Sequence, residues 1–320
     1  MKPIKTIALV TALLPFTLIN TAQAVPVDKE LALVIDVSSS IDDTEFALQM
    51  NGYAAAFKDP DVINAILALP NGNGIAAAAF PFAAFGADDP MAPASYELNS
   101  TPWFHITDAM SAMDFANAIS AIPNGDAQGT NIAGGVDSAV NSMLNNDFEG
   151  DMLIVDVSTD GVQNLFRDGG LCIDIFNLPP SEEELLACLA AFDSAINGAR
   201  DEADGQGVMI NGLAITDLQM AEDYLSDLID ILGQETVDML GLPENLQEYL
   251  ELHLITEEGF VLTTEFDETQ FASAVKQKIL NEISTPDEPT PMPEPGTAGI
   301  LAVCLLGLFL HRRRLQQVKI

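Results

Sequence analysis

Basic side chains are scarce in this chain: among 320 residues there are 48 Asp or Glu but only 12 Lys or Arg, for a formal net charge of −36. All of the acidic residues fall between positions 25 and 295, where the only basic ones are Lys29, Lys58, Arg167, Arg200, Lys276 and Lys278. A body of that sign repels phosphate backbones and anionic headgroups, so nucleic acid is not an expected partner. Histidine is nearly absent as well, with only His105 and His253 ahead of the tail. Neither a GxSxG elbow nor a well-placed histidine is available for a serine hydrolase, and no GxxxxGK[ST] loop exists to cradle phosphates. Gly72-Asn73-Gly74 precedes its strand, whereas a dinucleotide-binding loop must follow one.

Cysteine is also rare. Cys304 lies in the tail, leaving Cys172 and Cys188 as the one pair in the body. In an oxidising compartment they are disulfide candidates, and on the chain-entropy model a bridge across that loop contributes about 3 kcal/mol. With no histidine beside them, a zinc site is not expected.

Neither apolar terminal run reaches the roughly 20 residues of a stable membrane span. The first, Ile7 to Ile19, follows Lys2 and Lys5 and precedes Ala22-Gln23-Ala24, which is the pattern of a secretory signal peptide ending at Ala24. The second, Thr297 to Leu310, follows a proline-rich linker (284–296) and precedes Arg312, Arg313 and Arg314. Those arginines belong on the cytoplasmic side, which places the body outside the inner membrane. The expected organisation is therefore a signal peptide at 1–24, one domain at 25–283, a linker at 284–296 and a membrane-sorting segment with a basic tail at 297–320.

Within the body, buried strands are expected at Leu31 to Ile35, Gly74 to Phe85, Met152 to Val157, Val208 to Ile215 and Phe260 to Phe266, with a short hairpin partner at Trp103 to Ile106. Helices are expected from Asp42 or Asp43 to Asp59-Pro60, at Ala109 to Ile119, Ile132 to Leu144, Ser181 to Ala203 and Glu268 to Ile283. Leucine-rich Ala221 to Leu252, interrupted by Gly233, Gly241 and Pro243, reads as two or three short helices. Alternation of this kind gives an α/β fold: a doubly wound, mainly parallel sheet with helices on both faces.

Three oxygen-bearing clusters fall at strand ends or helix starts, where open parallel sheets bind ligands. They are Asp36-Val37-Ser38-Ser39-Ser40, Gly129-Thr130-Asn131 and Ser158-Thr159-Asp160-Gly161. In an extended loop, alternation would aim Asp36, Ser38 and Ser40 the same way. With Thr130 and Asp160 they offer two carboxylates and three hydroxyls, the hard oxygen ligands that magnesium, manganese or calcium takes. Each cluster also has a plainer reading: Asp36 to Ser40 or Thr130 as a helix cap, and Asp160-Gly161 as a turn. A phosphatase with Asp36 as nucleophile would need a second aspartate at position 38, which is serine.

DVSSS after a buried strand, GTN before a helix and TDG after a second buried strand resemble the metal-ion-dependent adhesion site of von Willebrand factor A domains, over residues 29–283. Asp36 to Phe57, Phe148 to Asn164 and Ile210 to Ile215 look most like a bacterial branch of secreted proteins known only as a domain of unknown function. The resemblance implies a von Willebrand A, Rossmann-like fold. It also implies a magnesium-type ion (or manganese or calcium) touched directly or through water by Ser38, Ser40 and Thr130, with Asp36 and Asp160 holding coordinated waters. The insertions at Ala87 to Ser100, Gly169 to Pro180 and Ala221 to Leu252 depart from that pattern. The tail, with Pro293-Glu294-Pro295, a short apolar segment and clustered arginines, resembles the PEP-CTERM sorting signal. That implies cleavage by an exosortase-type peptidase and release to the envelope or extracellular matrix; the alternative is an ordinary C-terminal anchor. The expected function is ion-dependent adhesion to an acidic group on an extracellular protein or matrix ligand, with no catalytic residues. The alternatives are a metal-dependent envelope hydrolase acting on phosphate or polysaccharide and a matrix protein merely stiffened by the ion.

Overall fold

A computed structural model describes residues 24–83, 100–124, 129–168, 182–216, 243 and 245–284. The expected signal peptide apart from Ala24, the expected linker apart from Ser284, the expected sorting tail, Cys172 and most of 221–252 lie outside the described residues. Among the described residues no helix is long and apolar enough to cross a membrane.

Six strands form one sheet: β1 (Val25–Asp36), β2 (Ile75–Phe82), β3 (Phe104–Ile106), β4 (Phe148–Thr159), β5 (Val208–Ile215) and β6 (Val261–Thr264). Their order is β3-β2-β1-β4-β5-β6, with only β3 antiparallel to its neighbour. Seven helices are described: α1 (Asp43–Lys58), α2 (Pro60–Leu67), α3 (Ala109–Ser120), α4 (Ile132–Leu144), α5 (Glu182–Gly205), α6 (Leu246–His253) and α7 (Glu268–Ser284).

Both faces of the sheet are covered, which explains why the stretch Leu31 to Ile35 of β1 is apolar without interruption. Leu31, Leu33 and Ile35 join one core with α1, α2, α3 and α7; Ala32 and Val34 join a second with α4, α5 and α6. Since successive strand residues point to opposite faces, a strand covered on both sides favours apolar residues at consecutive positions. Pro81, which has no N–H to donate, lies beyond the reach of β3, which pairs only with Ile75, Ala76 and Ala77. The arrangement is the doubly wound α/β fold expected from the sequence, and it turns from one direction of winding to the other between β1 and β4.

Most element boundaries match expectation to within a few residues. One helix was not expected: α2 begins at Pro60, where α1 was expected simply to stop. Asp59 caps it by accepting from Asp61 N at 2.8 Å, and proline is well suited to a first helical turn that has no N–H partner to lose.

A charged cluster is buried between β4, β5, α1 and α7. Lys278 pairs with Asp156 and, at 3.0 Å, with Glu282; Asn211 Nδ2 donates to Glu282 Oε1 at 3.0 Å, and Tyr53 Oη approaches Asp156 Oδ1 at 3.5 Å. Lys278, Asp156, Glu282, Asn211 and Tyr53 are fully buried. Burial pushes the Glu282 carboxyl up to about 8, with the charge of Asp156 adding and Lys278 opposing. Cys188, buried on α5, is disulfide-bonded; Cys172, the partner expected from the sequence, lies outside the described residues.

Candidate metal centre

Asp36 ends β1 and Thr159 ends β4, side by side at the carboxyl edge of the sheet; their neighbours Ile35 and Ser158 are paired in register. This is the switch point of the winding, where the loops leaving adjacent strands diverge and open a crevice. Five of the expected residues meet there. Ser38 Oγ and Ser40 Oγ are 3.1 Å apart, Ser40 Oγ donates to Asp160 Oδ1 at 2.8 Å, and Thr130 Oγ1 donates to Ser38 Oγ at 3.3 Å. Asp36 joins the set by accepting from Ser38 N at 2.8 Å.

The means of convergence differs from the expected alternation. Ile41 N donates to Ser38 O at 3.0 Å, so the loop after β1 is a turn and not an extended strand. A turn returns the backbone on itself, which brings Ser38 and Ser40 together while Ser39 stays exposed.

The plainer readings of these residues are occupied by others. Asp42 caps α1, accepting from Thr44 N and Glu45 N, with Glu45 closing a capping box. Asn131 caps α4 through Gly134 N at 3.0 Å, so the Thr130 hydroxyl faces Ser38 and not the helix. Gly161 N donates to Thr159 Oγ1 at 3.1 Å, so the turn there is closed by threonine and leaves the Asp160 carboxylate to Ser40.

Side chains that were not singled out from the sequence hold the set in place. Thr159 Oγ1 donates to Asp36 Oδ2 at 2.5 Å. Gln49, fully buried on α1, donates to the Asp36 carbonyl at 3.2 Å. Asn164 Oδ1 accepts from Thr130 N at 2.8 Å, and Gln163 bridges Ala133 N, Asn131 Oδ1 and the Leu165 carbonyl. Arg167 then anchors the loop after β4 through a two-pronged bond to Asp137, both contacts 2.7 Å, and a further pair with Glu202. Gln49 did carry a signal: it is a polar residue one helical turn from Phe46 and Tyr53, on a face otherwise apolar.

Two glycines permit this packing. Gly129 adopts φ +78°, a left-handed conformation that places Thr130 at the start of α4. At Gly161 a Cβ would lie 3.2 Å from Thr130 Oγ1, so a side chain there would crowd the hydroxyl.

Asp36 is fully buried, Ser38 and Thr130 nearly so, whereas Ser40 and Asp160 are partly exposed. Burial, reinforced by the charge of Asp160, pushes the Asp36 carboxyl up to about 7. Two carboxylates with three hydroxyls between them form a donor set that a hard divalent cation fits. Among the described residues no three His, Cys, Asp or Glu side chains cluster as metal ligands, so such a cation would depend on the hydroxyls. His105 and His253 are elsewhere, bonded to the Asn73 carbonyl at 2.7 Å and to Asn197 Oδ1 at 3.3 Å.

No curated protein sequence matches the chain. Among solved structures, the pilus adhesin SpaC from Lactobacillus rhamnosus GG is similar, at 15% identity and TM-score 0.46, over 81% of this chain and 31% of that one. The vWF domain of the type V pili tip protein Mfa5 from Porphyromonas gingivalis is similar at 12% identity and TM-score 0.44, over 83% of this chain and 98% of that one. The PilB minor pilin from Streptococcus sanguinis is similar at 12% identity and TM-score 0.46, over 81% and 64%. The chain thus spans about a third of the length of the SpaC adhesin. Residues 26–170 and 191–287 match the family described as protein of unknown function (DUF1194), and the chain belongs to that family.

Proposed function

We propose that this is an exported adhesion-type protein that grips an acidic group on an extracellular protein or matrix partner through a divalent ion, magnesium or a relative, held by Asp36, Ser38, Ser40, Thr130 and Asp160. One observation carries the reading: five oxygen side chains from three separate loops converge at the switch point of the sheet, with their ordinary capping and turn roles taken by neighbours. When bound, the ion supplies an electrophilic position, because two carboxylates only balance its charge and neutral hydroxyls donate little.

The chain's own residues do the rest. Thr159 and the Ser38 amide hold Asp36 in one orientation, Asn164 fixes Thr130, and Ser40 ties the partly exposed Asp160 to the rim where a partner would approach. A preset donor geometry of this kind lowers the ordering cost of binding. Among the described residues neither histidine, His105 or His253, stands beside the five side chains, which supports binding over hydrolysis. The Pro293-Glu294-Pro295 tail supports an exosortase-type sorting step that delivers the body to the envelope or beyond.

Calorimetric titration of the protein with magnesium, manganese and calcium, repeated on a Ser38→Ala, Ser40→Ala double variant, tests the reading. Ion binding that the double variant loses supports it. Equal binding by both proteins, or none by either, sinks it.

A further inference from the structure

The molecule has a second concave surface, toward the other end of β4 from the candidate metal centre. It is a cleft of about 770 Å³ between the segment leading into β3, the outer face of α4 and the α4–β4 turn. That volume lies in the ordinary range for sites that take a small organic ligand. Its chemistry is unlike that of the rest of the surface: among the described residues that line it Asp147 alone is charged, in a chain carrying 48 acidic residues. The walls are amides and hydroxyls, chiefly Ser138 and Asn141 of α4 and Asn145 just past its end, set against the aromatic rings of Phe80, Trp103 and Phe148.

We propose that this cleft binds a neutral oligosaccharide. An asparagine amide offers donors and an acceptor together, and a hydroxyl does the same, which matches the mixed donor and acceptor character of sugar hydroxyls. Aromatic faces complement the C–H faces of a pyranose ring. An anion would find no Lys, Arg or His among the described residues of the lining, and a fully apolar ligand would bury the amides without partners.

The site is also held in shape. Trp103 Nε1 donates to Ser142 Oγ at 2.9 Å and its ring lies 6.0 Å from that of Phe80, so the half-buried indole is fixed against the wall. Asn145 Nδ2 donates to the Asn141 carbonyl at 2.8 Å, and Asn146 is tied to Glu30 Oε2 at 2.6 Å and to Phe148 N at 2.7 Å. Sugars bind weakly to mobile surfaces, and a wall already ordered removes part of that cost.

Trp103 is the only tryptophan in the chain, so indole emission, excited selectively over the tyrosines, reports on this cleft. The full chain would be titrated with maltotriose, cellotriose and chitotriose, and in parallel with trigalacturonate and a synthetic peptide of residues 285–295. The expected result is a saturable change in emission with at least one neutral trisaccharide. Asn141→Ala, at an exposed position, should weaken that binding about tenfold, the loss of one well-placed hydrogen bond, with the melting temperature unchanged. Asp160→Ala and chelator should leave it intact, which separates this cleft from the metal centre. No saturable response to any neutral trisaccharide, a parent-like affinity in Asn141→Ala, or a preference for trigalacturonate or the peptide would overturn the proposal.

Discussion

Ser40 and Asp160, 120 residues apart in the chain, are joined by a 2.8 Å hydrogen bond from the serine hydroxyl to the carboxylate. The bond spans the crevice between the loops that leave β1 and β4, so it places the two halves of the donor set within reach of one ion. Asp160→Ala should lower manganese or magnesium affinity by at least about tenfold, the loss of one charge-assisted ligand. Because Asp160 is partly exposed, stability in chelator should stay within about 0.5 kcal/mol of the parent. Calorimetry and thermal unfolding check the two halves, and parent-like ion binding would remove Asp160 from the site.

Thr159 is fully buried and supplies the hydroxyl bonded to Asp36 Oδ2. Valine has nearly the same shape and no donor. Thr159→Val should therefore lose about 1–3 kcal/mol of stability, the cost of stranding a buried acceptor, and Thr159→Ser should lose much less. Urea unfolding of both variants in chelator decides it; an unaltered Thr159→Val would mean that Asp36 finds another donor.

Gly129 stands at φ +78°, and a Cβ there would sit 3.1 Å from Leu165 Cδ1 and 3.2 Å from Asn164 Oδ1. Since Asn164 Oδ1 is the acceptor for Thr130 N, Gly129→Ala should both cost about 1–2 kcal/mol through backbone strain and displace Thr130. The expected pattern is a lower urea midpoint together with weaker ion binding. Reduced stability with unchanged ion affinity would show that Thr130 does not contact the ion.

Glu282 offers a pH test away from the crevice. Its carboxyl is held at about 8 in the fold against an ordinary 4.5, with burial the main cause. Between those values the folded chain binds a proton that the unfolded chain has released, so this contribution is complete below about pH 4.5 and is lost as pH rises toward 8. Stability should fall across that window, at a slope of at most about 1.4 kcal/mol per pH unit. Glu282→Gln should flatten the dependence in urea unfolding, and a parent-like profile in that variant would assign the effect to another group.

The strands were legible because the middles of β1, β4 and β5 are covered on both faces, which leaves mainly apolar runs there, Leu31 to Ile35 in β1 and Met152 to Val155 in β4. The helices were legible where a cap preceded an apolar face, as at Asp42 before Phe46 and Met50. The start of α2 was misjudged because Asp59-Pro60 serves both as the end of one helix and the start of the next, and local sequence marks both with the same residues. The five candidate ligands were legible from their places after β1, before α4 and after β4. Their supports were less so: Thr159 stood in the third cluster with no role of its own, Asn164 lies 34 residues from the Thr130 it holds, and Gln49 was marked only as a polar residue on an otherwise apolar helix face.

By itself, then, the sequence determined the alternation of buried strands and covering helices and the location of oxygen ligands at their ends, since periodicity and capping are properties of a few neighbouring residues. It also determined the acidity of the body and the scarcity of histidine and lysine, which remove whole classes of chemistry. Tertiary structure alone decided that β1 and β4 would be neighbours, that a turn and not an extended loop would bring Ser38 and Ser40 together, and that Asn131 would cap α4 in place of Thr130. It also decided the burial of Lys278 with Asp156 and Glu282, and the gathering of Trp103 with Asn141 and Ser138. Each of these depends on which elements pack side by side, and that is settled by burying apolar surface across the whole sheet, a quantity no short stretch of sequence contains.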